Sequence, residues 1–262
     1  MKQLYFLLLA ILLLTGSFYG NAQKKAAKEE YYQLRIYQYR SAGQEQQLEA
    51  YLQHALLPAV HRAKISAAGV FKALANDTAM VKKIYVVMPL KTIVQWEQLE
   101  DKIYADKQYQ AAAASYLDAP NKQGVYDRVE TLVLKIFPGA HTFRLPKMNS
   151  AKTDRIYELR SYESSTERQH RNKVEMFIAG GETVIFDRLG MSPVFYGRVI
   201  AGSKMPNLVY MTVHANMEAR NQNWQNFGKD TAWQTLKKDP RYQNNVSHID
   251  ITYLKATSYS DF

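Results

Sequence analysis

Two short strings, Arg35-Ile36-Tyr37 and Glu158-Leu159-Arg160-Ser161-Tyr162, each set an arginine two residues before a tyrosine, and the second adds a carboxylate two residues earlier. Residues two apart share one face of a β-strand. Each string would therefore present a fixed cation beside a phenol, an arrangement that can hold an anionic or carbonyl group while a nearby carboxylate accepts a proton. Glu130, His248 and Asp250 fall in other β-type runs, as do Tyr210 and His214. The candidate ligand-binding residues are thus Arg35, Tyr37, Glu130, Arg160, Tyr162, Tyr210 and His248, and the candidate bases are Asp250, Glu158 and His214. The same groups would serve equally well as structural ion pairs, because a buried charge is costly unless paired. The sequence leaves both readings open.

Other chemistry is thinly represented. His54 and His61 are seven apart with no third ligand nearby, so no metal site is expected. His141 and His170 have no partner in sequence, and there is no phosphate-cradling glycine loop, nucleophile elbow or His-Glu-x-x-His string. The absence of cysteine excludes thiolate chemistry and disulfides. The formal charge of +10 is spread along the chain, and its densest group, Lys24, Lys25 and Lys28, runs directly into Glu29-Glu30. With no basic stripe, a nucleic-acid partner is not expected. The 19 tyrosines and 3 tryptophans read as core and seam fillers. No motif asks for a cofactor.

The elements that must position these residues occur twice. Residues 1–22 read as a secretory signal: Lys2, an apolar run from Leu4 to Leu14, and small residues before a cut ahead of Gln23. That run is about half of what spans a bilayer. The mature chain is therefore expected to be exported, periplasmic or secreted, with no transmembrane segment after cleavage. Residues 23–30 form a polar lead-in, 31–137 a first domain, 138–154 a Pro- and Gly-bearing linker, and 155–262 a second domain. In each domain the patterning predicts strand, helix, two strands, a broken helix and a last strand. The first strand spans Tyr31 to Tyr39 in one domain and Arg155 to Tyr162 in the other. Pro58 is expected to kink the first helix, Gly69 and Gly190 to close the first helices, and Gly180-Gly181 to sit within a helix. Tyr32 matches Tyr157, Tyr85 matches Tyr210, Trp96 matches Trp224, Asp106 and Tyr109 match Asp239 and Tyr242, and Val129-Glu130 matches Ile249-Asp250.

A four-stranded sheet with helices on one face must cover its other face. The expected fold class is α+β: two ferredoxin-like βαββαβ domains packed sheet to sheet as an intrachain dimeric α/β barrel, helices outside. Strand alternation then predicts Tyr32, Leu34 and Ile36, with Tyr157, Leu159 and Ser161, under the helices. The opposite parity, Gln33, Arg35 and Tyr37 with Glu158, Arg160 and Tyr162, is expected to face the space between the sheets. Tyr85, Tyr210, His214, Glu130, Asp250 and His248 are expected to join it there.

The Tyr-x-Leu-Arg-x-Tyr strand in both copies, the helices ending in Gly69 or Gly190, and the later Trp96 and Trp224 with their Asp-x-x-Tyr partners resemble the NIPSNAP family across residues 30 to 256, in two copies. The resemblance implies a ferredoxin-like, dimeric α/β barrel fold. It implies little about chemistry, since relatives sharing the barrel include cofactor-free monooxygenases, lactone isomerases and haem-dependent enzymes. A haem would need an axial histidine, for which His214 and His248 are the inner candidates. The leading expectation is an exported protein binding a small anionic or aromatic molecule between its sheets, as a monomer or homodimer. The alternatives are a cofactor-free monooxygenase- or isomerase-like enzyme using Asp250, Glu158 or His214 as base, and an interaction protein with a filled barrel. The second half, with Glu158, Arg160, Tyr162, His214 and Asp250, reads as the chemically richer one.

Overall fold

A computed structural model describes residues 30–138 and 147–262. The expected signal at 1–22, the lead-in before Glu30, and His141 lie outside the described residues. Eight strands, β1 (Tyr31–Tyr39), β2 (Gly69–Ala73), β3 (Lys82–Leu90), β4 (Arg128–Ile136), β5 (Ile156–Glu163), β6 (Ser192–Ala201), β7 (Asn207–His214) and β8 (His248–Ala256), close into one barrel in the order β1-β3-β2-β8-β5-β7-β6-β4. Every pairing is antiparallel. Within the first half the order is β4-β1-β3-β2, and the second half repeats it as β8-β5-β7-β6. The halves join where Phe71 to Ala73 of β2 meet β8 and where Val133 to Ile136 of β4 meet β6.

Helices lie outside. In the first half α1 (Ala42–Tyr51) runs through a π-helical stretch, Leu52–Leu56, into α2 (Leu57–Arg62). Pro58 is the second residue of α2, with Leu57 between it and that stretch. Proline carries no N–H and crowds the preceding turn, so the wider turn absorbs what was expected to be a kink. Between β3 and β4 stand α3 (Ile93–Tyr104), α4 (Lys107–Ala112) and α5 (Ala114–Leu117). The second half has α6 (Glu167–Ile178), α7 (Glu182–Arg188), α8 (Met217–Lys229) and α9 (Thr231–Leu236). Gly180-Gly181 breaks the helix rather than packing within it, and Gly181 takes the left-handed conformation at φ 84°. Gly190, at φ 72°, follows α7 as expected. Gly69 does not close a helix: it opens β2, where a Cβ would stand 2.5 Å from the Phe71 ring and 2.9 Å from Phe262.

The core has three parts. Tyr32, Leu34, Phe71, Val87 and Leu134 of one half pack with Tyr157, Leu159, Phe195, Met211 and Leu254 of the other, filling the barrel. Tyr37, Tyr39, Tyr51 and Ile84 pack with the first-half helices, and Tyr162, Phe177, Phe186 and Tyr210 with the second. The expected face of β1 and β5 is therefore reversed. Tyr32, Leu34, Tyr157 and Leu159 point into the barrel, whereas Arg35, Tyr37, Glu158, Arg160, Tyr162 and Tyr210 lie between sheet and helices. A one-residue error in parity moves every side chain of a strand to the other face. The face of β4 and β8 is as expected, since Glu130 pairs with Ile36 and Asp250 with Ser161 on the barrel side.

Candidate functional site

The strand register fixes which residues of the two halves occupy corresponding places. Arg35 lies opposite Val86 and Arg160 opposite Tyr210, so Tyr210 corresponds to Val86 and not to Tyr85. Thr92 caps α3 and Asn216 caps α8, each two residues beyond its strand. Counted from these caps, Arg220 stands where Trp96 does and Trp224 stands where Glu100 does, which moves the expected Trp96–Trp224 match by one helical turn. Asp106 corresponds to Asp230, not to Asp239, because each caps the next helix and each pairs with an arginine at the end of an earlier one: Arg62 at 2.6 Å and Arg188 at 2.8 Å.

In the second half the layer between sheet and helices is closed by charge. The Glu158 side chain is fully buried and accepts from Arg160 Nη1 at 3.1 Å, Arg220 Nε at 2.8 Å, Arg220 Nη2 at 2.9 Å and Trp224 Nε1 at 2.7 Å. The Arg160 guanidinium lies 4.2 Å from the Trp224 ring centroid, and Tyr162 and Tyr210 share a hydroxyl hydrogen bond of 3.0 Å. Burial opposes ionisation of Glu158, but the two arginines outweigh it and hold the carboxyl below its usual range. Burial likewise opposes charge on Arg160, while Tyr210, Tyr162 and Glu158 keep it firmly protonated. Arg220 was not singled out in the sequence, although its position one turn before Trp224 is a readable signal. Lys173 and Glu182, a buried ion pair at 2.9 Å, gave no sequence signal beyond their helical setting.

His214 belongs to the same layer. Its Nε2 is 3.2 Å from Thr212 Oγ1 and its Nδ1 is 3.1 Å from the Asn223 amide. Burial lowers its titration to about 4, more than offsetting the pull of Glu158, so the ring is neutral at pH 7. The linkage has a definite sign. Between about 6.5, the ordinary histidine value, and about 4, the unfolded chain takes up a proton that the native imidazole refuses. Stability is accordingly full above this window and falls as pH is lowered through it, by up to about 3 kcal/mol from this group. Urea unfolding at pH 7, 5 and 4 should show the loss, and His214→Asn should reduce it across that window, leaving the part due to His170, whose titration burial also lowers, and the loss that sets in at the acid end as carboxylates such as Glu158 protonate.

The corresponding layer of the first half is open. A cavity of about 540 Å³ lies between the β1-β3-β4 face and α1, α3, α4 and α5, lined by Gln33, Arg35, Tyr51, Trp96, Tyr109 and Tyr116 among others. Gln33 holds the place of Glu158, so no carboxylate of the sheet meets Arg35. The nearest, Glu100, is 4.0 Å away with its side chain 83% exposed, and the Arg35 Nε and the Tyr37 hydroxyl are buried without a hydrogen-bond partner among the described residues. Tyr51 stacks on Tyr116 at 3.6 Å between centroids and bonds Tyr109 through hydroxyls 3.1 Å apart. Burial pushes the Tyr51 phenol well above the usual tyrosine range, so it is a neutral donor. The cavity combines a cation without a close ion pair, flat aromatic walls, neutral hydroxyls and two exposed carboxylates, Glu97 and Glu100.

Glu130, His248 and Asp250 are assembled elsewhere, at one mouth of the barrel. There a second cavity, of about 270 Å³, is lined by Leu34, Tyr85, Leu132, Leu159, Glu130 and Asp250 among others. Lys204 bonds Asp250 and lies 3.7 Å from Glu163, Ser203 bonds Glu130, and His248 Nε2 is 3.1 Å from Asp250 Oδ1. Glu163, His248 and Asp250 have the donor types and spacing to surround a metal ion, and Lys204 already offsets part of their charge, bonding Asp250 and lying beside Glu163. The expected single interior site is therefore three separate groups: the filled second-half layer, the open first-half layer and the barrel mouth. Of the proposed bases, Glu158 is locked, His214 is buried, and Asp250 keeps access to solvent.

Comparison with known proteins follows this division. Residues 157–261 match the NIPSNAP family model. This part of the chain is a NIPSNAP domain. It therefore takes in the Glu158–Arg160–Arg220–Trp224 network and the four strands β5 to β8. No curated protein sequence matches the chain. Among solved structures, a candidate monooxygenase of Fusobacterium nucleatum superposes with a TM-score of 0.56 at 7% identity, over 87% of this chain and 92% of that one. A candidate monooxygenase of Lactobacillus acidophilus gives 0.56 at 11% identity, over 87% and 93%. An anthrone oxidase-like protein gives 0.51 at 9% identity, over 87% and 91%. At these identities the likeness is one of fold, so the NIPSNAP domain sits in a barrel architecture shared with such proteins. Among the described residues no helix is long and apolar enough to cross a membrane.

Proposed function

We propose that the protein binds a small molecule with an anionic group and a flat aromatic body, in the first-half layer around Arg35 rather than between the sheets. The observation that carries this reading is Arg35 itself: a guanidinium mostly removed from water, with an unpartnered Nε, at the wall of a cavity of about 540 Å³. The cavity volume suits a small-molecule ligand. The reading extends to the whole chain as an exported protein of two ferredoxin-like units, 31–137 and 155–262, both NIPSNAP-like. The repeated strand order and the recurring Arg–Asp cap pairs support that organisation. In this division of roles the second unit is closed by its own charges and the first accepts the ligand.

Calorimetric titration with 2-naphthoate and with the neutral 2-naphthalenemethanol tests it. Binding at one site per chain, with the alcohol at least about tenfold weaker, is expected, because a hydrogen bond to a charged group is worth about 1.5–3 kcal/mol. Equal binding of the two, or binding of neither, contradicts it. A second reading, proton abstraction by Asp250, rests on that residue being the candidate base with solvent access beside a cavity.

A further inference from the structure

The second half contains a carboxylate of its own at the position the first half leaves neutral, and this bears on what the open layer accepts. Glu158 and Gln33 hold the same place on their sheets: Glu158 lies opposite Thr212 and two residues before Arg160, and Gln33 lies opposite Met88 and two residues before Arg35. The Glu158 carboxylate is received by Arg160 at 3.1 Å and fills the layer together with Arg220 and Trp224. In the first half the amide of Gln33 cannot neutralise a cation, Trp96 stands in place of Arg220, and the space these groups would occupy is the cavity.

We infer that Gln33 is the residue that keeps Arg35 available, and that the group Arg35 receives is a carboxylate, the chemistry its counterpart already binds internally. This rests on the proposed ligand-binding role of the cavity and specifies it. A carboxylate is planar and presents two oxygens to the planar guanidinium fork. A tetrahedral sulfonate or phosphate presents a bulkier head to a site whose counterpart holds a flat one. Gln33 is 3% exposed, so a charge introduced there would stay beside Arg35 and not turn out to water. Glu in its place would supply the anion from within, as Glu158 does.

The test compares Gln33→Glu, Gln33→Met and the unaltered protein, titrated with 2-naphthoate and with 2-naphthalenesulfonate. Gln33→Glu should weaken 2-naphthoate at least about tenfold. Gln33→Met, which changes the cavity wall without adding charge, should weaken binding at least about threefold less than Gln33→Glu does. The sulfonate should bind the unaltered protein at least about tenfold more weakly than the carboxylate. Unchanged affinity in Gln33→Glu, or an equal loss in Gln33→Met, overturns the role of Gln33. Equal affinity for sulfonate and carboxylate overturns the carboxylate assignment, yet leaves anion binding at Arg35 standing. Failure of both anions to bind the unaltered protein removes the broader reading as well.

Discussion

Arg35→Met should weaken 2-naphthoate binding by about 100-fold while leaving the protein as stable as before or more so. The affinity loss corresponds to about 2.7 kcal/mol, within the range for a charge-assisted contact in a site screened from water. The stability result is the sharper half of the expectation. Arg35 has no carboxylate closer than Glu100 at 4.0 Å, and the burial of its guanidinium is offset by the neighbouring Tyr37 and Tyr51 hydroxyls and by Glu100 rather than by a close ion pair of the kind Glu158 gives Arg160. An apolar side chain of similar length covers the same wall without that cost. A residue retained for structure would show the opposite, a drop in the denaturation midpoint. Lower stability in Arg35→Met with unchanged binding would therefore assign Arg35 to the scaffold.

Glu158→Ala should behave in reverse, losing about 3–5 kcal/mol of unfolding free energy, because it leaves Arg160 and Arg220 facing each other in a buried layer without their shared anion. The carboxylate accepts from both arginines and from Trp224, so its removal orphans several donors at once. Glu158→Gln keeps an acceptor but not the charge and should lose less. Chemical denaturation of the three proteins at pH 7 reads the series directly. If Glu158→Ala lost less than about 1 kcal/mol, the network would not be what closes the second half, and its contrast with the first half would carry no meaning.

The two expected outcomes separate two uses of one motif, and the sequence showed the motif without the separation. The strands themselves were legible, because runs such as Tyr31–Tyr39 and Asn207–His214 are rich in aromatic and branched residues and bounded by turn formers. The faces of β1 and β5 were not. In Tyr32-Gln33-Leu34-Arg35-Ile36-Tyr37 the more apolar parity packs against the opposite sheet, while the other, with Arg35 and the buried Tyr37, packs against helices, so both faces are covered. A strand covered on both sides loses the alternation that would reveal its orientation. The more apolar parity went into the barrel because that space has no helix-borne polar groups to meet Arg35 or Glu158. The same double coverage hid the register of β3 and β7, where Ile84 to Met88 and Leu208 to Val213 are buried at every position, so Tyr85 and Tyr210 aligned by residue type rather than by place. Arg35 and Glu158 were thus recognised as candidates while their surroundings were not. Trp96, Tyr51 and Tyr109 come from helices whose approach to the sheet no strand pattern encodes.

A crystal structure of the protein with 2-naphthoate would show which of the two cavities holds the ligand. One molecule per chain is expected in the first-half layer, its carboxylate on Arg35 and its rings against Trp96 and the Tyr51–Tyr116 stack, with the Glu158 network unchanged. A molecule at the barrel mouth beside Lys204 and Asp250, with the Arg35 cavity left unfilled, would contradict it.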